Sequence, residues 1–511
     1  MKDMRRNLYI ISLLIVATGL VSCNKFLDEK PSKSTSLVPT TTAQLDYILN
    51  DYSTFYFEPA ETAVFGTDLY ALDTKITDAK ATLPTFTAIK YAAWDTQYLA
   101  ADATNSIYFT DEYAKIFKAN MVLYYLSKVD GSDADKQRLE REAKFIRAYS
   151  TWNLAQVYCL PYTEVNKNEP GMTIKASTSF QESSKRATLE ETYKFIESDL
   201  DEALKITTDM ELVDGKYYKT WRASKAAVNG FAARYWLNRN DYDKAYKYAA
   251  AALESHGQLV NYNTDMYYSK TPFYAVVNKK KVLVKFPYTH DNAVDISDQL
   301  EWKEMMYYRM LHNYSFWYIP SQKLLDSYDH TYDLRYKYHV VTNYTYYWGT
   351  KDIEYPGYVF FYNTMIISGP TTSEMILIEA ECLARQGKFT EAMAEVNKLR
   401  AVRMDKSAPD NIKYLSATSK EEAIHKILDE RIRELTFTQR WNDIRRLNNN
   451  EDVNDDVGDL TRTYYPYNEI GVLPTQPVVT YTLKANSRRY ATPIPEVEIT
   501  ASNGAIEQNK Y

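Results

Sequence analysis

The 511-residue chain is 45% hydrophobic and 25% charged, which supplies ample apolar material for a packed core and excludes disorder as the overall state. Lysine and arginine total 61 against 67 acidic residues, a formal charge of -6, so no basic surplus marks a nucleic-acid binder. Tyrosine is the outlier, with 47 residues against only 14 glycines.

The N-terminal end reads as an export address. Lys2, Arg5 and Arg6 precede an apolar run from Leu8 to Leu20 that is too short to span a bilayer and ends in small residues. Leu20-Val21-Ser22-Cys23 resembles the lipobox of bacterial lipoproteins. On that reading residues 1–22 are a signal peptide and Cys23 is acylated, its nucleophilic sulfur being the reason for cysteine. Several acyl chains tether a protein durably where one does not. The two remaining cysteines, Cys159 and Cys382, form no C-x-x-C pair, which excludes zinc-ribbon, thioredoxin-like and disulfide-framework readings.

From Thr42 to about Leu160 the apolar pattern is mostly helical. Ala114, Phe117, Met121, Tyr124 and Tyr125 recur at helical steps, as do Leu139, Ala143, Ile146, Tyr149 and Leu154. Pro161 stops the second helix, because its ring cannot continue the hydrogen-bond ladder. After a polar loop, Thr188-Leu189-Glu190-Glu191 reads as a capping box.

Two later stretches share one spacing. Ala233 is followed by Tyr242 and Ala245, and Ala380 by Phe389 and Ala392 at the same offsets. Small residues let two helices approach closely while the aromatic plugs the turn, which is the tetratricopeptide pattern. Two copies are too few for a stable stack, so the helix ending near Leu160 and one over Thr192–Leu204 are expected as degenerate units. The region from Trp302 to Tyr362 differs, with 14 tyrosines and three tryptophans in 61 residues and no sustained helical period. Within it, Tyr344 to Gly349 reads as a short strand and turn. Glu430–Arg446 reads as one scaffold helix whose arginines pair with Glu430, Glu434 and Asp443 and whose Phe437 and Trp441 share a stripe. The acidic, proline-dotted tail from Asn448 to Pro477 is expected as long surface loops.

Four segments carry a family resemblance. Cys23-Asn24-Lys25-Phe26-Leu27-Asp28-Glu29-Lys30-Pro31, Arg141 to Tyr149, Arg431 to Arg446, and Ala491-Thr492-Pro493-Ile494-Pro495-Glu496-Val497-Glu498-Ile499 resemble, in order, the marked segments of SusD/RagB outer-membrane lipoproteins. Tyr158-Cys159-Leu160-Pro161 departs from the glycine that the family often places there. The resemblance implies a mainly α fold: about four tetratricopeptide-like helix pairs as a scaffold, carrying a loop-rich variable lobe with short strands. It implies an N-terminal part over 23–260, an aromatic-rich variable lobe over 261–372 and a C-terminal part over 373–511. It further implies an extracellular, lipid-anchored protein of the outer membrane that binds glycan and delivers it to a SusC-like TonB-dependent transporter. A RagB-like peptide binder is the alternative.

No H-E-x-x-H, G-x-S-x-G, Walker or G-x-G-x-x-G motif occurs. The histidines at 256, 290, 312, 330, 339 and 425 lack ligand spacing, so no metal, cofactor or catalytic residue is assigned; calcium is left open. A pyranose presents a flat C–H face that stacks on an aromatic ring, and burying roughly 80 Å² of it is worth about 2 kcal/mol at ~25 cal/mol per Å². Trp317, Tyr346, Tyr347 and Trp348, clustered near turn residues, are the candidate platforms. An earlier patch adds Asp68, Tyr70, Asp73, Tyr91 and Trp94. Trp94 is either a platform or a core anchor, and Asp68 or Asp73 either binds sugar hydroxyls or caps a turn.

Overall fold

The computed structural model describes residues 38–59, 61–79, 85–103, 106–179, 181–269, 272–286, 299–312, 317–347, 353–360 and 365–511. Its helices include α1 (Phe86–Ala92), α2 (Ser106–Tyr125), α3 (Asp133–Tyr158), α4 (Leu189–Ala203), α5 (Lys225–Asn238), α6 (Tyr242–Ser255), α7 (Gln322–Ser327), α8 (Leu334–His339), α9 (Thr372–Arg385), α10 (Phe389–Arg403), α11 (Lys420–Glu434) and α12 (Arg440–Leu447), preceded by a helix at Thr42–Leu49 and interspersed with short helical segments. The scaffold forms by neighbour packing: α2 and α4 on α3, α5 on α6, and α6, α10 and α11 on α9. Among the described residues no helix is long and apolar enough to cross a membrane.

Local sequence accounts for much of this. Thr188 and Glu191 form the expected capping box at the start of α4, and Ser132, Ser224, Asp241, Thr371 and Ser419 cap other scaffold helices through their side chains. Ala233, Ala245, Ala380 and Ala392 are fully buried where paired helices meet. The turns between those pairs use left-handed backbone at Asn240 (φ 57°) and Gly387 (φ 81°). α3 ends at Tyr158, and Cys159 caps it in an extended conformation before Pro161.

Three expectations are corrected. The helix expected over Glu430–Arg446 is two helices, broken where Phe437 takes φ 66°. The break sends the two aromatics into different cores: Phe437 packs on Tyr318 and Tyr358 (ring centroids 5.5 and 5.6 Å), whereas Trp441 packs on Tyr490 (5.2 Å). A continuous helix would have put both on one stripe. The tail between Asn448 and Pro477 is not simply looped, since Leu460–Tyr464 pairs antiparallel with Val479–Leu483. Tyr344–Tyr346 forms a 3-10 turn instead of a strand. In α2, which forms as its spacing predicts, Phe109, Ile116, Ala119 and Val122 are buried together with Glu112, Lys115 and Asn120, while Ala114, Phe117 and Tyr124 face outward. Burial of these polar groups is tolerable because Lys115 pairs with Glu112 at 2.6 Å and donates to the Phe57 carbonyl, while Arg309 pairs with Glu58 and Glu112.

The strands are short. β1 (Phe57–Pro59) lies parallel to β4 (Met310–His312), which lies antiparallel to β7 (Met365–Ile367). β2 (Phe273–Val277) and β3 (Lys280–Val284) form a hairpin, and β5 (Val340–Val341) pairs with β6 (Gly357–Tyr358). These strands and α8 surround a tyrosine-rich core that includes Tyr308, Trp317, Tyr318, Tyr344 and Tyr358. Buried ion pairs join it to the scaffold: Arg403 of α10 binds both Glu304 and Glu434, and Arg335 of α8 binds Asp333, Glu430 and Glu434.

Candidate functional site

The early patch is structural. Tyr70, Tyr91, Trp94 and also Trp317 are each no more than 5% exposed, so none presents a ring face to a ligand, and the platform role expected for them is corrected. Trp94 donates from its indole to the Gly66 carbonyl at 2.9 Å and lies under the Arg462 guanidinium; it is a core anchor. Trp317 donates to the Pro356 carbonyl at 3.3 Å. Asp68 accepts from Arg440 at 2.8 and 2.7 Å and from Lys323 at 2.7 Å. Burial alone would raise its pKa, but the two cations hold its carboxyl well below the usual carboxylate range. Its role as a sugar contact is therefore corrected to that of a tie between segments. Asp73 caps a short helix by accepting from the Lys75 amide at 2.8 Å, and the Tyr355 hydroxyl, whose pKa burial and the Asp73 charge raise, donates to the Pro320 carbonyl at 3.5 Å.

At the surface lie Tyr346, half-buried and donating to Glu354 at 3.3 Å, and Tyr347, exposed and stacked on Tyr344 at 5.6 Å. Tyr347 also meets Phe273 and Phe286 of the hairpin, at 5.1 and 5.4 Å. Trp348 and Cys23 lie outside the described residues.

The hairpin supplies one wall of an open groove of about 350 Å³, lined by Tyr268, Leu283, Lys285, His330, Tyr336, Lys337 and the stretch 340–343. Asn278 and Lys279 both take positive φ (49° and 65°) at the hairpin turn, the pairing that matches strand twist. Side chains then alternate. Ala275 and Val277 of β2, with Val282 and Val284 of β3, turn to the core; Tyr274 and Val276, with Lys281 and Leu283 directly opposite them, turn outward. Asn343 fixes the wall by donating to the Leu283 carbonyl at 2.9 Å.

The opposite wall carries rings. His330 stacks on Tyr336 with centroids 4.0 Å apart and planes within 9°, held by a 2.8 Å bond between its Nε2 and the Leu325 carbonyl. Tyr268 donates to the Lys337 carbonyl at 3.2 Å, and its ring leans on Tyr338. Burial raises the pKa of the Tyr336 hydroxyl, and burial with the neighbouring Tyr338 raises that of Tyr268, so both stay protonated near neutral pH. Chemically, the groove offers apolar ring faces, hydroxyls and ammonium groups, a set suited to binding a polyhydroxylated ligand. A second open cavity, of about 480 Å³, follows the outward side of α2 past Phe109, Tyr113 and Phe117; it belongs to the scaffold. Among the described residues no group of three or more His, Cys, Asp or Glu side chains is placed to hold a metal ion.

Two family models match the chain. One, described as starch-binding associating with outer membrane, matches residues 25–237, and the other, described as the SusD family, matches residues 339–511. Together they take in well over half of the sequence. The chain belongs to the SusD/RagB family. Solved structures agree with this fold. A SusD superfamily protein from Bacteroides thetaiotaomicron is 19% identical with a TM-score of 0.60, over 92% of this chain and 100% of its own. A SusD-like carbohydrate binding protein from Bacteroides vulgatus is 17% identical with a TM-score of 0.61, over 91% and 97%. A laminarin binding SusD-like protein is 15% identical with a TM-score of 0.54, over 92% and 99%. No curated protein matches the chain.

For this SusD/RagB-family protein, sequence reasoning missed Tyr268, Tyr274 and Tyr336 as surface rings and set His330 aside for want of ligand spacing. One signal was present: Phe273 to Phe286 alternates around an Asn-Lys turn. Three consecutive lysines obscure that alternation.

Proposed function

We propose that this SusD/RagB-family protein binds an oligo- or polysaccharide in the hairpin groove and delivers it to a SusC-like TonB-dependent transporter. An acylated Cys23 holds it on the outer face of the outer membrane. Residues 261–372 act as the nutrient-binding lobe between scaffold parts at 23–260 and 373–511, and no catalytic step is assigned. The observation that carries the reading is the stacked His330–Tyr336 pair lining one groove with Leu283 of the hairpin, whose outward strand partner is Tyr274. Each sugar face laid on such a ring removes apolar surface worth about 2 kcal/mol, so two or three contacts supply about 4–6 kcal/mol before association costs are subtracted, and hydrogen bonds to the sugar hydroxyls add to this. The outer-membrane description of the matched family model and the laminarin-binding neighbour lend further support.

Affinity electrophoresis against plant, host and microbial polysaccharides tests the binding. Retardation that Tyr274→Ala or Tyr336→Ala abolishes supports the reading; no retardation by any polysaccharide, with calorimetric binding of oligopeptides, would replace it by the peptide reading. Palmitate labelling lost in Cys23→Ser tests the tether, and absence of label from the unaltered chain refutes it.

A further inference from the structure

We infer that the groove selects anionic glycans, those bearing carboxylate or sulfate groups, over neutral ones; this rests on the glycan reading above and specifies its ligand. The chain as a whole is acidic, with a formal charge of -6. Against that background, residues 272–286 contain Lys279, Lys280, Lys281 and Lys285 and no aspartate or glutamate. The register decides where these charges point. Lys281 lies opposite Val276 on the same outward side as Leu283, and two residues further on Lys285 joins Leu283 as a groove-lining residue. Lys337 faces Lys285 from the α8 side of the groove. Among the described residues neither Lys281, Lys285 nor Lys337 forms an ion pair; Lys285 and Lys337 only approach the rings of Tyr268 and Tyr338, at 5.8 and 5.1 Å.

Among the described residues the groove lining contains no carboxylate. Acidic groups nearby are already engaged. Asp329 accepts from the Thr331 and Tyr332 amides, Asp333 is bound by the buried Arg335, and Asp405, which senses Lys337, accepts from Ser407. Aromatic platforms flanked by two ammonium groups that have no ion-pair partner among the described residues fit a sugar chain that repeats a negative charge. One exposed lysine adds little, but several along a charged polymer act together and steer its approach.

The test compares pairs that differ in charge alone: polygalacturonate against its methyl ester, for carboxylate, and dextran sulfate against dextran, for sulfate. Affinity electrophoresis of the full mature chain is expected to show about tenfold stronger retardation by at least one charged member than by its neutral counterpart. That retardation falls as NaCl is raised from about 50 to about 500 mM. Lys285→Gln/Lys337→Gln is expected to weaken it about tenfold, whereas Lys194→Gln/Lys205→Gln, which removes the same charge from the scaffold, leaves it unchanged. Equal or stronger binding of the neutral members, or an equal effect of the two double variants, overturns the charge preference and leaves glycan binding standing. Failure of every polysaccharide, charged or neutral, overturns both.

Discussion

Arg440 grips Asp68 through two hydrogen bonds of 2.8 and 2.7 Å, across 372 positions of chain. Lys323 of α7 closes on the same carboxylate, so one side chain joins the early loop, the variable lobe and α12. Removing the charge strands Arg440, itself buried, and Asp68→Asn is expected to cost about 3 kcal/mol of stability, read by urea denaturation at neutral pH. The pH dependence follows from the direction of the shift. Asp68 titrates lower folded than unfolded, so its contribution is present above the ordinary carboxylate pKa and is lost as pH falls through the acid range. Asp68→Asn should therefore flatten the acid limb of the stability curve. An unchanged acid limb would show that the pair does not form.

Trp94 separates a packing role from a binding role. Its indole fills a buried site against Trp441 and Leu460, and Trp94→Ala is expected to cost about 3–5 kcal/mol. The backbone there sits at φ 52°, a conformation that costs an alanine about 1 kcal/mol and a glycine almost nothing. Trp94→Gly is therefore expected to be at least as stable as Trp94→Ala despite being smaller. Chemical denaturation of the two variants checks the order, and the reverse order would argue against the left-handed assignment.

Legibility in the sequence followed the range of the interactions. The Thr188 cap and the Ala233–Tyr242–Ala245 spacing were readable because each is decided within about a dozen residues of its own position. The split between α11 and α12 was not, because Phe437 and Trp441 are drawn apart by partners such as Tyr318 and Tyr490 from distant segments. The site was harder still. Trp94 and Tyr274 look alike as aromatics near turns, yet one is buried by Gly66 and Trp441 while the other faces outward through strand register. With 47 tyrosines in the chain, composition marked the lobe and left the individual rings undecided.

Tyr274 should behave oppositely to Trp94. Half of it is exposed and its face is set by pairing with Leu283, so Tyr274→Ala is expected to change stability by less than about 1 kcal/mol. Losing one sugar platform worth about 2 kcal/mol corresponds to roughly 30-fold weaker glycan binding. Isothermal titration with the best polysaccharide fragment, beside a thermal melt, measures both. A large melt shift without loss of affinity would assign Tyr274 to the hairpin's folding instead.

Glu379 of α9 places a titration near neutrality in the scaffold. Burial, with the like charge of Glu395 on α10, pushes its carboxyl up to about 7, only partly offset by Lys398. Tyr246 of α6 lies in the same electrostatic neighbourhood. A carboxyl whose folded pKa exceeds its unfolded value of about 4.3 contributes stability below that value and loses it as pH climbs toward 7, leaving a penalty above. Glu379→Gln removes the ionisation while keeping the shape. The variant is expected to melt at a higher temperature than the parent at pH 8, by the equivalent of about 1 kcal/mol once solvent screening is allowed for, with the gap closing by pH 5. Melting curves across that interval decide it: a gap that stays constant with pH would mean that Glu379 is ionised throughout and that Glu395 lies too far away to oppose it.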